Sequence, residues 1–122
     1  MFAHDKPIYQ QIREMIVTEI ISGRWKEEEF IPSVRTLSTE LDVNPNTVLR
    51  TLNELQKDGI LEMERGMGNR VVKGAAGRLS RELKKRFEEG EMDGFIKQAR
   101  LLGFTKETLC KTIERVWNND KK

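Results

Sequence analysis

Ile8, Ile12, Met15, Ile16 and Ile20 recur at three- and four-residue spacing, which predicts an amphipathic helix with one stripe facing a core. Asp5 is placed to cap it, and Pro7 falls in its first turn, where a missing N–H costs nothing. Ser22-Gly23 ends it, since Gly suits the left-handed position past a last turn. Residues 25–31, with three consecutive glutamates, read as an acidic connector. A second, shorter helix is predicted from the N-cap Ser33 through Leu41, burying Val34, Leu37 and Leu41. Asp42-Val43-Asn44 makes a tight turn. Asn44 then caps a third helix with Pro45 at its first position, and Val48, Leu52 and Leu55 point inward. Asp58-Gly59 stops it.

The rest of the pattern is hairpin, then helix again. Residues 60–64 and 69–72 read as strands, with Gly66 and Gly68 free to take positive φ in the turn between them. The small-residue stretch 74–77 reads as a linker. Beyond it Leu79, Leu83 and Phe87 form a heptad-like stripe. Gly90 and Gly94 are expected to interrupt that helix, since each interior Gly costs ~1 kcal/mol relative to Ala. Phe95, Ile96, Ala99 and Leu102 resume the stripe, and Gly103 ends it. Thr105 caps a last helix with Leu109, Ile113, Val116 and Trp117 on its inner side, and residues 118–122 read as a frayed tail. Two short helices, a tight turn and a hairpin in this order make a winged helix-turn-helix, which sets one helix into the major groove of DNA. The expected fold is mainly α with a small β-hairpin. It comprises a winged helix-turn-helix over 1–74 and a two-helix C-terminal dimerisation segment over 75–122.

Charge changes this picture in one respect. The chain has 122 residues and a net charge of only +2. Residues 1–74 hold ten basic and twelve acidic side chains, whereas 75–122 hold twelve and eight. The DNA-binding half is therefore slightly acidic, and contact with DNA has to come from local placement of charge. No apolar run reaches the ~18 residues of a membrane span. The first residues lack the basic-then-apolar pattern of a signal peptide, and the single Cys110 has no partner for an intramolecular disulfide. Together these point to the cytoplasm, with no membrane partner. His4 and Cys110 are lone and far apart, so zinc spacing is absent, and no metal or cofactor is expected. Residues 66–71 lack the third glycine of a dinucleotide fingerprint. No nucleophile elbow, carboxylate pair or phosphate loop appears, which argues against an enzyme. No pattern marks a small-molecule effector site.

The motifs that define the wing and helices also carry a resemblance. Pro7-Ile8-Tyr9-Gln10-Gln11-Ile12, Ser22-Gly23, Pro32-Ser33-Val34-Arg35, Leu41-Asp42-Val43, Asn46-Thr47-Val48, Glu54-Leu55, Asp58-Gly59-Ile60-Leu61 and Gly66-Met67-Gly68 together resemble the N-terminal domain of the GntR family of bacterial regulators. The likeness covers residues 7–72. The remaining chain is too short for a large effector domain and is similar to the YtrA-type subgroup, whose Val-Asn-Pro-Asn-Thr-Val turn matches residues 43–48. The resemblance implies a homodimeric repressor of transport genes.

It also implies DNA contacts at Ser33, Arg35, Asn44, Asn46 and Thr47. Asn44 reads equally as a helix cap, and capping leaves its amide nitrogen free for a contact. Many relatives carry an Arg where this chain has Leu49; here the basic residue is Arg50, on the helical face of Thr47. Arg50 can reach guanine O6 and N7, or a phosphate. In the wing a basic residue is common between the two glycines, but this chain has Met67, flanked by Arg65 and Arg70. Gly66 and Gly68 with Arg65 and Arg70 can enter the minor groove or rest on phosphate; the plain alternative is a hairpin turn. Residues 78–86 hold five basic side chains and one acidic, which suits either a solvated face or auxiliary phosphate contacts.

The reading is a sequence-specific regulator of double-stranded DNA acting at an inverted-repeat operator. The rival is a winged-helix docking module for another protein. The C-terminal helices have apolar stripes and nothing in the chain to cover them. Leu83, Phe87, Phe95, Leu102, Leu109, Ile113 and Trp117 are therefore the expected homodimer interface. On this reading, removing residues 78–122 leaves a folded monomer.

Overall fold

The computed structural model describes residues 6–120. Among them the order is α1 (Ile8–Ile21), α2 (Val34–Leu41), α3 (Pro45–Lys57), β1 (Leu61–Glu64), β2 (Gly68–Val71), α4 (Ala75–Phe87), a π-helical turn (Glu88–Met92), α5 (Asp93–Leu101) and α6 (Lys106–Asn119). The fold is mainly helical with one antiparallel hairpin, as the periodicity predicts. The chain divides into two compact units, residues 1–82 and 83–122.

In the first unit, α1 and α2 pack on α3, and α3 packs on β1. Ile12, Ile16 and Ile20 from α1, Leu37 from α2, and Val48, Leu52 and Leu55 from α3 are buried together with Ile60, Leu61 and Val71. Ile8, expected in the same stripe, is 44% exposed at the open end of α1. Ends follow local chemistry. Ser33 Oγ accepts from the Thr36 N–H at 3.1 Å, and Asn44 Oδ1 accepts from the Asn46 N–H at 2.8 Å. Asp42, with φ +54, closes α2 in the left-handed conformation without a glycine. The proposed cap Asp5 lies outside the described residues, as does His4. Pro7 occupies the cap position of α1 and makes no side-chain cap.

Three features differ from the sequence expectation. First, the acidic connector is a partner of the wing. The Glu28 N–H donates to Val71 O at 2.7 Å, the Val71 N–H to Glu29 O at 3.0 Å, and the Ile31 N–H to Asn69 O at 2.9 Å. These are backbone bonds, so the acidic side chains gave no sign of them. Second, residues 74–77 do not form a linker. Gly74 turns with φ +87 and α4 begins at once. Its first N–H groups are capped from the connector: Glu27 Oε1 accepts from the Gly74 N–H at 2.9 Å and Oε2 from the Ala76 N–H at 3.1 Å. Ala75 and Leu79 join the buried core. Third, the interruption expected at Gly90 and Gly94 is milder than a break: α4 ends at Phe87, Gly90 falls in a π-helical turn, and Gly94 lies in the first turn of α5. The chain winds through a π-helical turn between α4 and α5, which keeps backbone hydrogen bonding while absorbing the irregularity.

In the second unit α6 is capped by Thr105, whose Oγ1 accepts from the Thr108 N–H at 3.1 Å. Of its described residues only Ala99 is buried, with Leu109 half-buried.

Candidate nucleic-acid interface

Helix α3 has two faces of opposite character. Its inner face is Val48, Thr51, Leu52 and Leu55. Its outer face sets Asn46, Leu49, Arg50, Asn53, Glu54 and Lys57 along one shallow depression. Asn44 caps the helix, so its carboxamide oxygen is engaged and its nitrogen is free to donate. Asn46 is exposed beside it; Thr47 is half-buried and its carbonyl accepts from Thr51 Oγ1 at 3.0 Å.

Arg50 is 63% exposed and is held on two sides. Its Cζ lies 4.3 Å from the centroid of the Tyr9 ring, and its Nε is 3.9 Å from Glu54 Oε1. Neither holds it strongly: an exposed cation–π contact contributes about 0.5–1 kcal/mol and such an ion pair a few tenths. They orient the guanidinium without removing it from solvent. Tyr9 sits 41 positions before Arg50 in the chain, and no spacing rule connects them; its ring on α1 is brought there by the packing of α1 on α3.

Ser33 and Arg35 lie at the start of α2. The Ser33 hydroxyl caps that helix and donates to Thr36 Oγ1 at 3.0 Å. Arg35 is exposed and has no ion pair among the described residues.

In the wing, Leu61 pairs with Val71, Glu62 with Arg70, Met63 with Asn69 and Glu64 with Gly68. Gly66 (φ +81) and Gly68 (φ +112) take backbone conformations that a side chain strains, and no atom lies within 4 Å of where a Cβ would sit. The glycines serve the turn, and they leave its tip open. Arg65 is exposed beside them, and Met67 is 63% exposed at the tip. Arg70 differs. It is half-buried, 3.6 Å from Glu62 and 3.7 Å from Glu64, with its Cζ 5.9 Å from the Phe30 ring. Two carboxylates already offset its charge, so Arg65 is the wing's available cation. The wing is tied to α3 by Gln56 Nε2 donating to the buried Asn69 Oδ1 at 2.8 Å. Of the basic run 78–86, Arg78 is committed inward: its Nη2 donates to the Asp58 carbonyl at 2.5 Å.

Residues 8–71 match the family described as bacterial regulatory proteins, gntR family. The chain belongs to that family. It is 35% identical over 113 residues to the uncharacterized HTH-type transcriptional regulator YhcF of Bacillus subtilis, covering 93% of this chain and 92% of that protein. It is 39% identical over 69 residues to the HTH-type transcriptional repressor YtrA of the same organism, covering 57% of this chain and 53% of YtrA. A solved GntR family transcriptional regulator from Listeria monocytogenes superposes with a TM-score of 0.77 at 34% identity, over 93% of this chain and 98% of that one. The protein is a DNA-binding transcription regulator, and the GntR relatives it matches are regulators rather than enzymes.

In this GntR regulator the Gln56–Asn69 hydrogen bond joins α3 to the wing, and Arg35 lies at the head of the neighbouring helix α2. The expected contacts Asn44, Asn46, Thr47 and Arg50 share one helix, while Arg65, Gly66, Gly68 and Arg70 share the wing. Sequence reasoning missed Tyr9 and Glu54 around Arg50, and Gln56 beneath the wing.

Proposed function

We propose that the protein is a homodimeric repressor in the cytoplasm that occupies an inverted-repeat operator, with transport genes as the regulated class that the YtrA-type resemblance implies. Helix α3 enters the major groove, Arg50 reads a base edge, and Arg35 with Arg65 holds phosphate. Ser33, Asn44, Asn46 and Thr47 supply the shorter polar contacts.

The observation that carries the dimer is the uncovered apolar surface of residues 83–120. Phe87 is 52% exposed, Phe95 57%, Leu102 68%, Ile113 56% and Trp117 67%. Phe95, Ile113, Val116 and Trp117 line an open groove of ≈ 690 Å³. Large apolar side chains gathered this way mark an interaction surface. A second copy supplies the same surface, and a two-fold pair presents two α3 helices to half-sites related by the same symmetry.

The test is a gel-shift titration of the full-length protein on promoter and random duplexes, from 50 to 200 mM salt. Preference for one inverted repeat, with affinity falling steeply with salt, supports the proposal. Salt-independent capture of a protein partner without duplex binding favours the docking-module reading instead.

A further inference from the structure

Leu49 stands out on the outer face of α3. It is 43% exposed at the edge of that face, next to the inner face where Val48, Leu52 and Leu55 are almost wholly buried. Side chains three, four and seven positions apart share a helix face. Leu49 therefore lies beside Asn46 and Asn53, and all three line the depression that also holds Arg50 and Lys57. The rest of this face consists of amides and charged groups, suited to polar edges and phosphates. A leucine among them caps no helix and carries no charge, and it is not one of the buried core residues.

The major groove offers one apolar group to such a side chain, the C5-methyl of thymine. Asn beside it is the side chain that pairs with adenine N6 and N7. We propose that Leu49 is a specificity-determining residue that receives the C5-methyl of a thymine, in a half-site where A·T pairs lie against Asn46 and Asn53. The inference rests on the DNA-binding reading of α3 and adds a base identity to it.

Deoxyuridine makes the test direct, because it removes the methyl and leaves every hydrogen-bonding edge of the base pair in place. Duplexes selected by the full-length protein from a random pool are resynthesised with each thymine replaced singly by deoxyuridine. Losing one buried methyl at a single position is expected to lower wild-type affinity about fourfold. The same replacement is expected to leave Leu49→Ala unaffected, because that variant has already lost the contact. Leu49→Met keeps hydrocarbon at this position and is expected to keep the uracil penalty. Matching melting temperatures for the three proteins are expected, since the side chain is exposed.

Uracil tolerated at every thymine overturns the inference. So does an equal penalty in wild type and Leu49→Ala, which would place the effect in the shape of the DNA. A selected half-site without thymine overturns it as well. In each of these cases salt-dependent binding leaves the DNA reading standing. Failure to bind duplexes in a salt-dependent way overturns both.

Discussion

Arg50 and Arg35 are two cations of the same unit with different surroundings. Arg50 is braced by Tyr9 and Glu54 above the outer face of α3, whereas Arg35 projects from the first turn of α2 with no ion pair among the described residues. A braced guanidinium loses less freedom on forming a directed pair, which suits base reading. Arg50→Ala is expected to cost ~1–3 kcal/mol on the preferred duplex and to relax preference at one base pair. Competition binding against single-base operator variants checks this; an equal loss on random DNA would assign Arg50 to phosphate. Arg35→Ala is expected to weaken all duplexes alike and to lower the log–log salt slope by roughly one. An unchanged slope in a salt titration would take Arg35 off the contact surface. Arg70, with Glu62 and Glu64 beside it, has the weakest claim to phosphate among the wing's cations.

Helix α4 is one element with two environments. Its first turns are fastened to the winged unit by the Glu27 cap, by Arg78 on the Asp58 carbonyl and by buried Ala75 and Leu79. Asp58 is a shared node, because its side chain also takes Arg13 Nη2 at 2.7 Å. Further along, Leu83 is 39% exposed and Phe87 52%. Leu79→Ala is expected to destabilise the winged unit by roughly 2–5 kcal/mol, the range for truncating a buried leucine. Leu83→Ala is expected to change monomer stability by less than about 1 kcal/mol. Urea melts of the two variants, at concentrations low enough to keep the chain monomeric, make the comparison. Equal losses would contradict the division after residue 82. For the same reason, removing residues 78–122 would strip Leu79 from the core, so the truncation that spares the winged unit ends at Glu82.

At the level of the complete chain, the acidic balance of residues 1–74 and the apolar surface of 83–120 make different demands. A winged unit with few spare cations gains little from a single contact with DNA, whereas two linked units add their contacts through effective concentration. Light scattering of the full chain at micromolar concentration is expected to give about twice the 14.2 kDa of one copy. Residues 1–82 are expected to remain folded, run as a monomer and bind the operator poorly. A full-length monomer that still protects an inverted repeat from cleavage would overturn the dimeric reading.

Local signals carried much of this architecture. Apolar spacing, the Ser33, Asn44 and Thr105 caps, Pro45 at a helix start and paired glycines in a turn all act within a few residues, so they are legible in the chain. They placed the helices, the hairpin and the outer face of α3. The brace on Arg50, the third segment of the wing, the Glu27 cap and the attachment of Leu79 join residues far apart in sequence. No periodicity encodes them, and they exist only once α1, α3 and α4 are packed together. The π-helical turn was illegible for another reason: glycine propensity measures a local cost, and the continuous backbone hydrogen bonding of residues 75–101 offsets it.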